Sequence, residues 1–84
     1  LRKITRETGT LLIIDETHTI SAGFGGMTRR DSIEPDVLVI GKPLAGGVPA
    51  AVYGFTNEVA SKIKQKLPFH ESDTGGIGGT LTGN

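Results

Sequence analysis

The chain has 84 residues, a length at which folding hides only about 60–65% of the unfolded surface, so one small domain is the most it can form and a large core is excluded. Nine basic and nine acidic residues cancel, aromatic residues make up 5%, and no dense basic run occurs; the footprint of a nucleic-acid or anionic-membrane binder is absent. There is no cysteine for disulfides, thiolate metal sites or nucleophiles, and the longest apolar run, Leu11 to Ile14, is far too short to span a bilayer, so the reading is of a soluble protein with the cytoplasm as its default compartment.

Residues 1 to 8 are charged around Leu1 and Ile4, and Gly9 stands where a helix C-cap belongs, so a helix is expected to end there. Thr10 to Asp15 (TLLIID) is a short continuous apolar run of the kind that forms a strand covered on both faces, closed by Asp15. From there to Glu34 the chain holds Ser21, Gly23, Gly25, Gly26, Arg29 and Arg30 with no sustained period, which predicts an irregular excursion. Asp36 to Ile40 (DVLVI) reads as a second buried strand ending at Gly41 and Lys42, with Pro43 preventing continuation of the ladder. Ala50 to Phe55 reads as a third strand whose short connection favours an antiparallel return. Thr56 or Asn57 can cap a following helix, Glu58 to Leu67, with Val59, Ala60, Ile63 and Leu67 on one face and Pro68 as its stop. Residues 69 to 84 form a glycine-rich loop. Glycine, 13 of 84 residues, is about twice its usual share of roughly 7%, and its clusters at 23–26, 41–54 and 75–83 suggest turns around a site.

An acid after one buried strand and a lysine after the next is the informative constellation, because neighbouring strands of an open α/β sheet deliver their carboxyl ends to one crevice. Asp15 and Lys42 are then expected to face one ligand. A partly desolvated lysine amine can form a Schiff base, and a carboxylate can keep a pyridine nitrogen protonated. The two functions together describe pyridoxal phosphate chemistry.

The run LLIIDETHT, the block PDVLVIGKPLAGGVPAAVYG and the terminal GGTLTGN, in this order, resemble the class III aminotransferases and most nearly their glutamate-1-semialdehyde aminomutase branch. That resemblance implies an α/β fold, part of the large domain of a fold-type I pyridoxal-phosphate transferase, with a mostly parallel sheet and an antiparallel strand. On it, residues 1–84 are a fragment of the cofactor-binding domain and no complete domain. It further implies that Lys42 is the Schiff-base lysine, that Asp15 pairs with the ring nitrogen, and that Thr80, after Gly79, reaches the cofactor phosphate from the neighbouring subunit of a homodimer with shared active sites. Thr17 falls where the family has valine on the ring face, and His18 where glutamine or methionine is common near the phenolic oxygen; both depart from the pattern. The implied activity is transamination or 2,1-aminomutation of a small amine, an amino acid or an amino ketone or aldehyde, with pyridoxal 5'-phosphate as cofactor.

Other readings compete. A lone strand-end aspartate is ordinarily a turn or cap residue and a lone lysine a solvated one; only their joint context raises them to a site. Arg29 and Arg30 read as surface charges before substrate clamps. LLIIDETH also has the form of the Asp-Glu-x-His box of P-loop ATPases, but the glycine spacing ahead of Lys42 and the hydroxyl residue after it are missing. A non-catalytic role fits the isolated chain, since the upstream glycine loop, stacking aromatic and C-terminal domain of the family's enzymes are not in this sequence.

Overall fold

A computed structural model describes residues 1–42 and 46–66. In chain order they form helix α1 (Arg2–Thr8), strand β1 (Ile13–Asp15), a 3-10 turn (Ile20–Ala22), the short helix α2 (Gly26–Arg30), strands β2 (Val37–Gly41) and β3 (Ala51–Phe55), and helix α3 (Asn57–Lys66).

Helix α1 ends as the sequence predicts. Gly9 adopts the left-handed conformation at φ 67°, its N–H reaches Arg6 O at 3.3 Å, and Thr10 N reaches Thr5 O at 2.9 Å. This pair of reversed bonds satisfies carbonyls that the last turn would otherwise leave open, and glycine adopts the required backbone without a Cβ penalty.

The sheet has the order β1-β2-β3. β1 pairs in parallel with β2, Asp15 opposite Val39, and β3 returns antiparallel, Val37 opposite Phe55 and Gly41 opposite Ala51. The architecture is therefore α/β with a mixed sheet, one parallel and one antiparallel pair. A parallel pair needs a long connection, which the segment from Glu16 to Asp36 provides. The predicted third strand and its direction are both found.

Three expectations are revised. β1 begins at Ile13 rather than Thr10, because the Leu12 N–H is taken by the Asp36 carboxylate at 2.8 Å, while Leu12 O receives the N–H groups of Asp36 and Val37. The excursion after β1 is not irregular throughout: it contains the 3-10 turn and α2, ordered by a buried side chain described below. Nor do the described residues cover the strands on both faces, since Ile13 is 59% exposed and all of β3 is exposed.

The Asp36 side chain ties the base of the sheet to α1. Arg2 grips both of its oxygens, at 2.5 and 2.8 Å, in the two-pronged geometry that a guanidinium and a carboxylate favour. The Arg2 guanidinium, with the Leu12 N–H, holds the Asp36 carboxyl well below the ordinary 3.8, at about 2. Helix α3 starts on Thr56, whose Oγ1 accepts from Val59 N at 3.4 Å and whose carbonyl accepts from Ala60 N at 2.9 Å. Glu58 sits in its first turn and Lys64 and Lys66 in its last, each charge complementing the helix dipole. Val59 is buried and Ile63 half-buried, as the apolar face requires; Leu67, expected on that face, lies outside the described residues. No helix among the described residues is long and apolar enough to cross a membrane.

Candidate functional site

The register of the parallel pair fixes the site. Asp15 is the last residue of β1 and pairs with Val39; two residues further along β2 the strand ends at Gly41, and Lys42 follows. Both predicted residues thus lie at carboxyl ends of adjacent parallel strands. At about 3.3 Å of rise per residue, Lys42 leaves its strand about 10 Å beyond the level of Asp15. Lys42 turns away from the strand direction with φ 48°, a conformation that is uncommon for residues other than glycine.

Asp15 Oδ1 accepts the Thr17 N–H at 2.8 Å, and the carboxylate is otherwise exposed. Thr17, through its side chain and then its amide, holds the Asp15 carboxyl below its ordinary value; burial works weakly against this, and His18 and Lys42 add to the depression. The Thr17 side chain fills the space beside Gly41, where a Cβ would stand 3.4 Å from Thr17 Oγ1 and 3.6 Å from Cγ2. His18 is exposed in the turn that follows. Asp15, Thr17, His18 and Lys42 are therefore gathered at one end of the sheet, whereas Gly79 and Thr80 lie outside the described residues.

Lys42 is exposed, so the described residues do not desolvate its amine. Arg29 and Arg30 behave as surface charges: Arg29 lies over the Phe24 ring at 4.8 Å, and Arg30 pairs with Asp31 at 2.8 Å.

A residue to which the sequence reading gave no role in this site is buried directly beside it. Glu16 is 1% exposed. Its Oε2 accepts from Thr19 Oγ1 at 2.5 Å and from Met27 N at 3.1 Å, and its Oε1 accepts from Thr28 N. The buried Thr28 hydroxyl has no partner of hydrogen-bonding geometry but lies against the same carboxylate. Thr19, then Thr28, hold the Glu16 carboxyl at about 2, from an ordinary 4.5, against the opposing effect of burial. Gly26, at φ +64°, leaves space for the carboxylate; a Cβ there would stand 2.7 Å from Oε2. The signal in the sequence was a carboxylate directly after a strand, a threonine three residues on, and a Gly-Gly pair opening a helical turn. This burial also removes Glu16 from the water-orienting role that an Asp-Glu-x-His box would give it.

A groove of about 310 Å³ opens at the other end of the sheet, lined by Arg2, Arg6, Asp36, Glu58 and Lys62 among others. Its charges are committed to one another: Arg2 to Asp36, Arg6 to Glu34 and Lys62 to Glu58. It lies away from Asp15 and Lys42.

Comparison with known proteins places the chain in a family. The family model described as aminotransferase class-III matches residues 1–84. A crystal structure of a glutamate-1-semialdehyde-aminomutase from Pseudomonas aeruginosa PAO1 is 45% identical, with a TM-score of 0.85 over 99% of this chain and 19% of that one. A lysine-to-alanine variant of an aminomutase from the same organism, in complex with PMP, is also 45% identical, with a TM-score of 0.83 over the same shares. An omega-transaminase from Sphaerobacter thermophilus is 38% identical, with a TM-score of 0.66 over 71% of this chain and 14% of that one. The chain thus spans about a fifth of the length of the aminomutases it matches, and its mixed α/β sheet is that of a segment of pyridoxal-phosphate-dependent fold-type I enzymes. With the family match running the full length of the chain, and with the aminomutase likeness read from its sequence repeated in three dimensions, this chain belongs to the class-III aminotransferase family.

Proposed function

We propose that the protein carrying this chain is a pyridoxal-phosphate-dependent transaminase or 2,1-aminomutase, that it acts on an amino acid or an amino ketone or aldehyde, and that residues 1–84 are a piece of its cofactor-binding large domain. The observation that carries this reading is the pairing of an ionised Asp15 and a lysine, Lys42, at the carboxyl ends of two adjacent parallel strands. The donor set fits the cofactor, since Asp15 is an acceptor suited to a pyridinium N–H and Lys42 is an amine suited to an aldehyde carbon. The related aminomutase variant in complex with PMP supports the same cofactor class.

When bound, pyridoxal phosphate supplies a sink for the electron pair released at the substrate carbon. Lys42 would hold the cofactor by its amine and, when free, would be the group to take and return the proton at the substrate carbon. Asp15, kept charged by Thr17, retains the proton on the ring nitrogen. Thr17 would line the ring face and His18 would lie toward the phenolic oxygen, as the family resemblance implies. Thr80, with Gly79, reaches the phosphate of the neighbouring subunit in a homodimer. On this reading residues 1–84 alone have no activity of their own.

The test is borohydride reduction of the full-length protein loaded with pyridoxal phosphate, followed by peptide mass spectrometry. The expected adduct is on Lys42, and Lys42→Ala abolishes it together with turnover. Reduction onto another lysine, or onto none, overturns the assignment.

A further inference from the structure

Glu16 is the most deeply buried large side chain among the described residues, and its carboxylate makes no hydrogen bond to Asp15 or Lys42. Its contacts nevertheless run to both ends of the excursion. At the near end the Glu16 N–H continues the parallel ladder to Val39 O at 2.8 Å, and its carbonyl accepts from Thr19 N and Ile20 N at 3.0 and 2.8 Å. At the far end its carboxylate accepts the first N–H groups of α2, those of Met27 and Thr28, which stand 11 and 12 residues away in sequence. Gly26 lies so close that any side chain there would strike the carboxylate. The loop between these ends is clipped shut from inside.

The residue that follows this clip is Thr17. Its N–H is committed to Asp15 Oδ1 and its side chain to the space beside Gly41, the residue before Lys42. A single threonine therefore bridges the two strand ends on which the cofactor reading depends, and its backbone starts one bond from a residue with no freedom to move. We propose that Glu16 is a positioning residue for the Asp15 and Lys42 pair: its buried carboxylate closes the 16–28 loop and so holds Thr17 between the Asp15 carboxylate and Gly41. The cofactor half of this inference rests on the function proposed above; the loop half does not.

The choice of a carboxylate follows from the contacts. All three hydrogen-bonding groups aimed at it are donors, one hydroxyl and two backbone N–H groups, and an ionised carboxylate is an acceptor on both oxygens. Glutamine has the same shape, but its amide nitrogen must face a backbone N–H whichever way the group is turned. Glu16→Gln therefore opens the clip without creating a cavity. Thr19→Val removes the hydroxyl donor alone, a milder lesion that leaves both bonds to α2.

The experiment uses the full-length protein in three forms, wild type, Glu16→Gln and Thr19→Val. It measures backbone hydrogen exchange over 16–28, the dissociation constant for pyridoxal phosphate, and the pH at which the absorbance of the bound cofactor changes. Glu16→Gln is expected to speed exchange at Thr17 as well as at Met27 and Thr28. It should also weaken cofactor binding about tenfold or more, as small misplacements of reacting groups do, and displace the absorbance pH profile. Borohydride still marks Lys42, and Thr19→Val moves the same readouts in the same direction by less. Faster exchange confined to Met27 and Thr28, with cofactor affinity and absorbance profile unchanged in both variants, makes Glu16 a purely structural residue and overturns the proposal. Should wild type bind no cofactor at Lys42, the functional reading falls by itself. Exchange at Thr17 then still decides whether Glu16 holds it, acceleration supporting the clip and an unchanged rate refuting it.

Discussion

Gly9 and Gly26 offer a matched pair of perturbations, because their backbones are nearly the same, φ +67° and +64°, while their surroundings are opposite. Nothing lies within 4 Å of a Cβ at Gly9, whereas at Gly26 a Cβ meets Glu16 Oε2 at 2.7 Å and its Cδ and Oε1 at 2.9 Å. Alanine in the left-handed region costs about 1–2 kcal/mol for the backbone alone, and Gly9→Ala is expected to cost about that. Gly26→Ala carries the same backbone penalty and adds overpacking, typically about 1–3 kcal/mol. The overpacking cannot be relieved by swinging the side chain away, since both Glu16 oxygens are bonded. The sum is about 2–5 kcal/mol, two- to threefold the effect at Gly9. Urea-unfolding midpoints of the full-length protein carrying each substitution measure the ranking. Equal losses at the two positions would show that Glu16 does not stand against Gly26, and the account of the clipped loop would fail with it.

Asp15→Asn keeps the shape of the side chain but removes its charge, and turnover of the full-length enzyme should fall by about tenfold or more, the factor that separates a modest change in barrier from none; near wild-type steady-state rates would make Asp15 structural only. The carboxyls of Glu16 and Asp36 are both depressed in the folded state, from 4.5 and 3.8 to about 2. Their stabilisation is therefore complete above the unfolded values and is lost as pH falls from about 4.5 through 2; denaturation midpoints should drop across that window, and Asp36→Asn should flatten the drop. Co-expressed Lys42→Ala and Thr80→Ala chains should yield a hybrid dimer with one intact site, and activity at limiting cofactor no higher than that of the parental homodimers would exclude a site shared between subunits. The isolated chain buries few hydrophobic side chains among its described residues, Leu12 and Val59, and should show no cooperative thermal transition; a sharp monomeric one would refute this.

Local chemistry decided much of this fold in advance. Gly9 closes α1 because a left-handed residue is needed where the helix ends, Thr56 opens α3 because a side-chain oxygen is needed where N–H groups are free, and the short link between β2 and β3 leaves an antiparallel return. The same patterning puts Asp15 and Lys42 at the ends of successive apolar runs, which is enough to bring them to one edge once the runs pair in parallel. What the sequence did not disclose depends on partners far apart along the chain. Asp36 shortens β1 by capturing a backbone N–H 24 residues away and anchors a guanidinium 34 residues away; Glu16 orders an apparently aperiodic segment by reaching groups 11 and 12 residues on. In sequence, each of these carboxylates looks like any polar residue at the edge of a strand. Only the folded chain, by burying Glu16 and half-burying Asp36 beside donors that bond to them, makes one carboxylate the clasp of the loop beside the site and the other the clasp of the sheet.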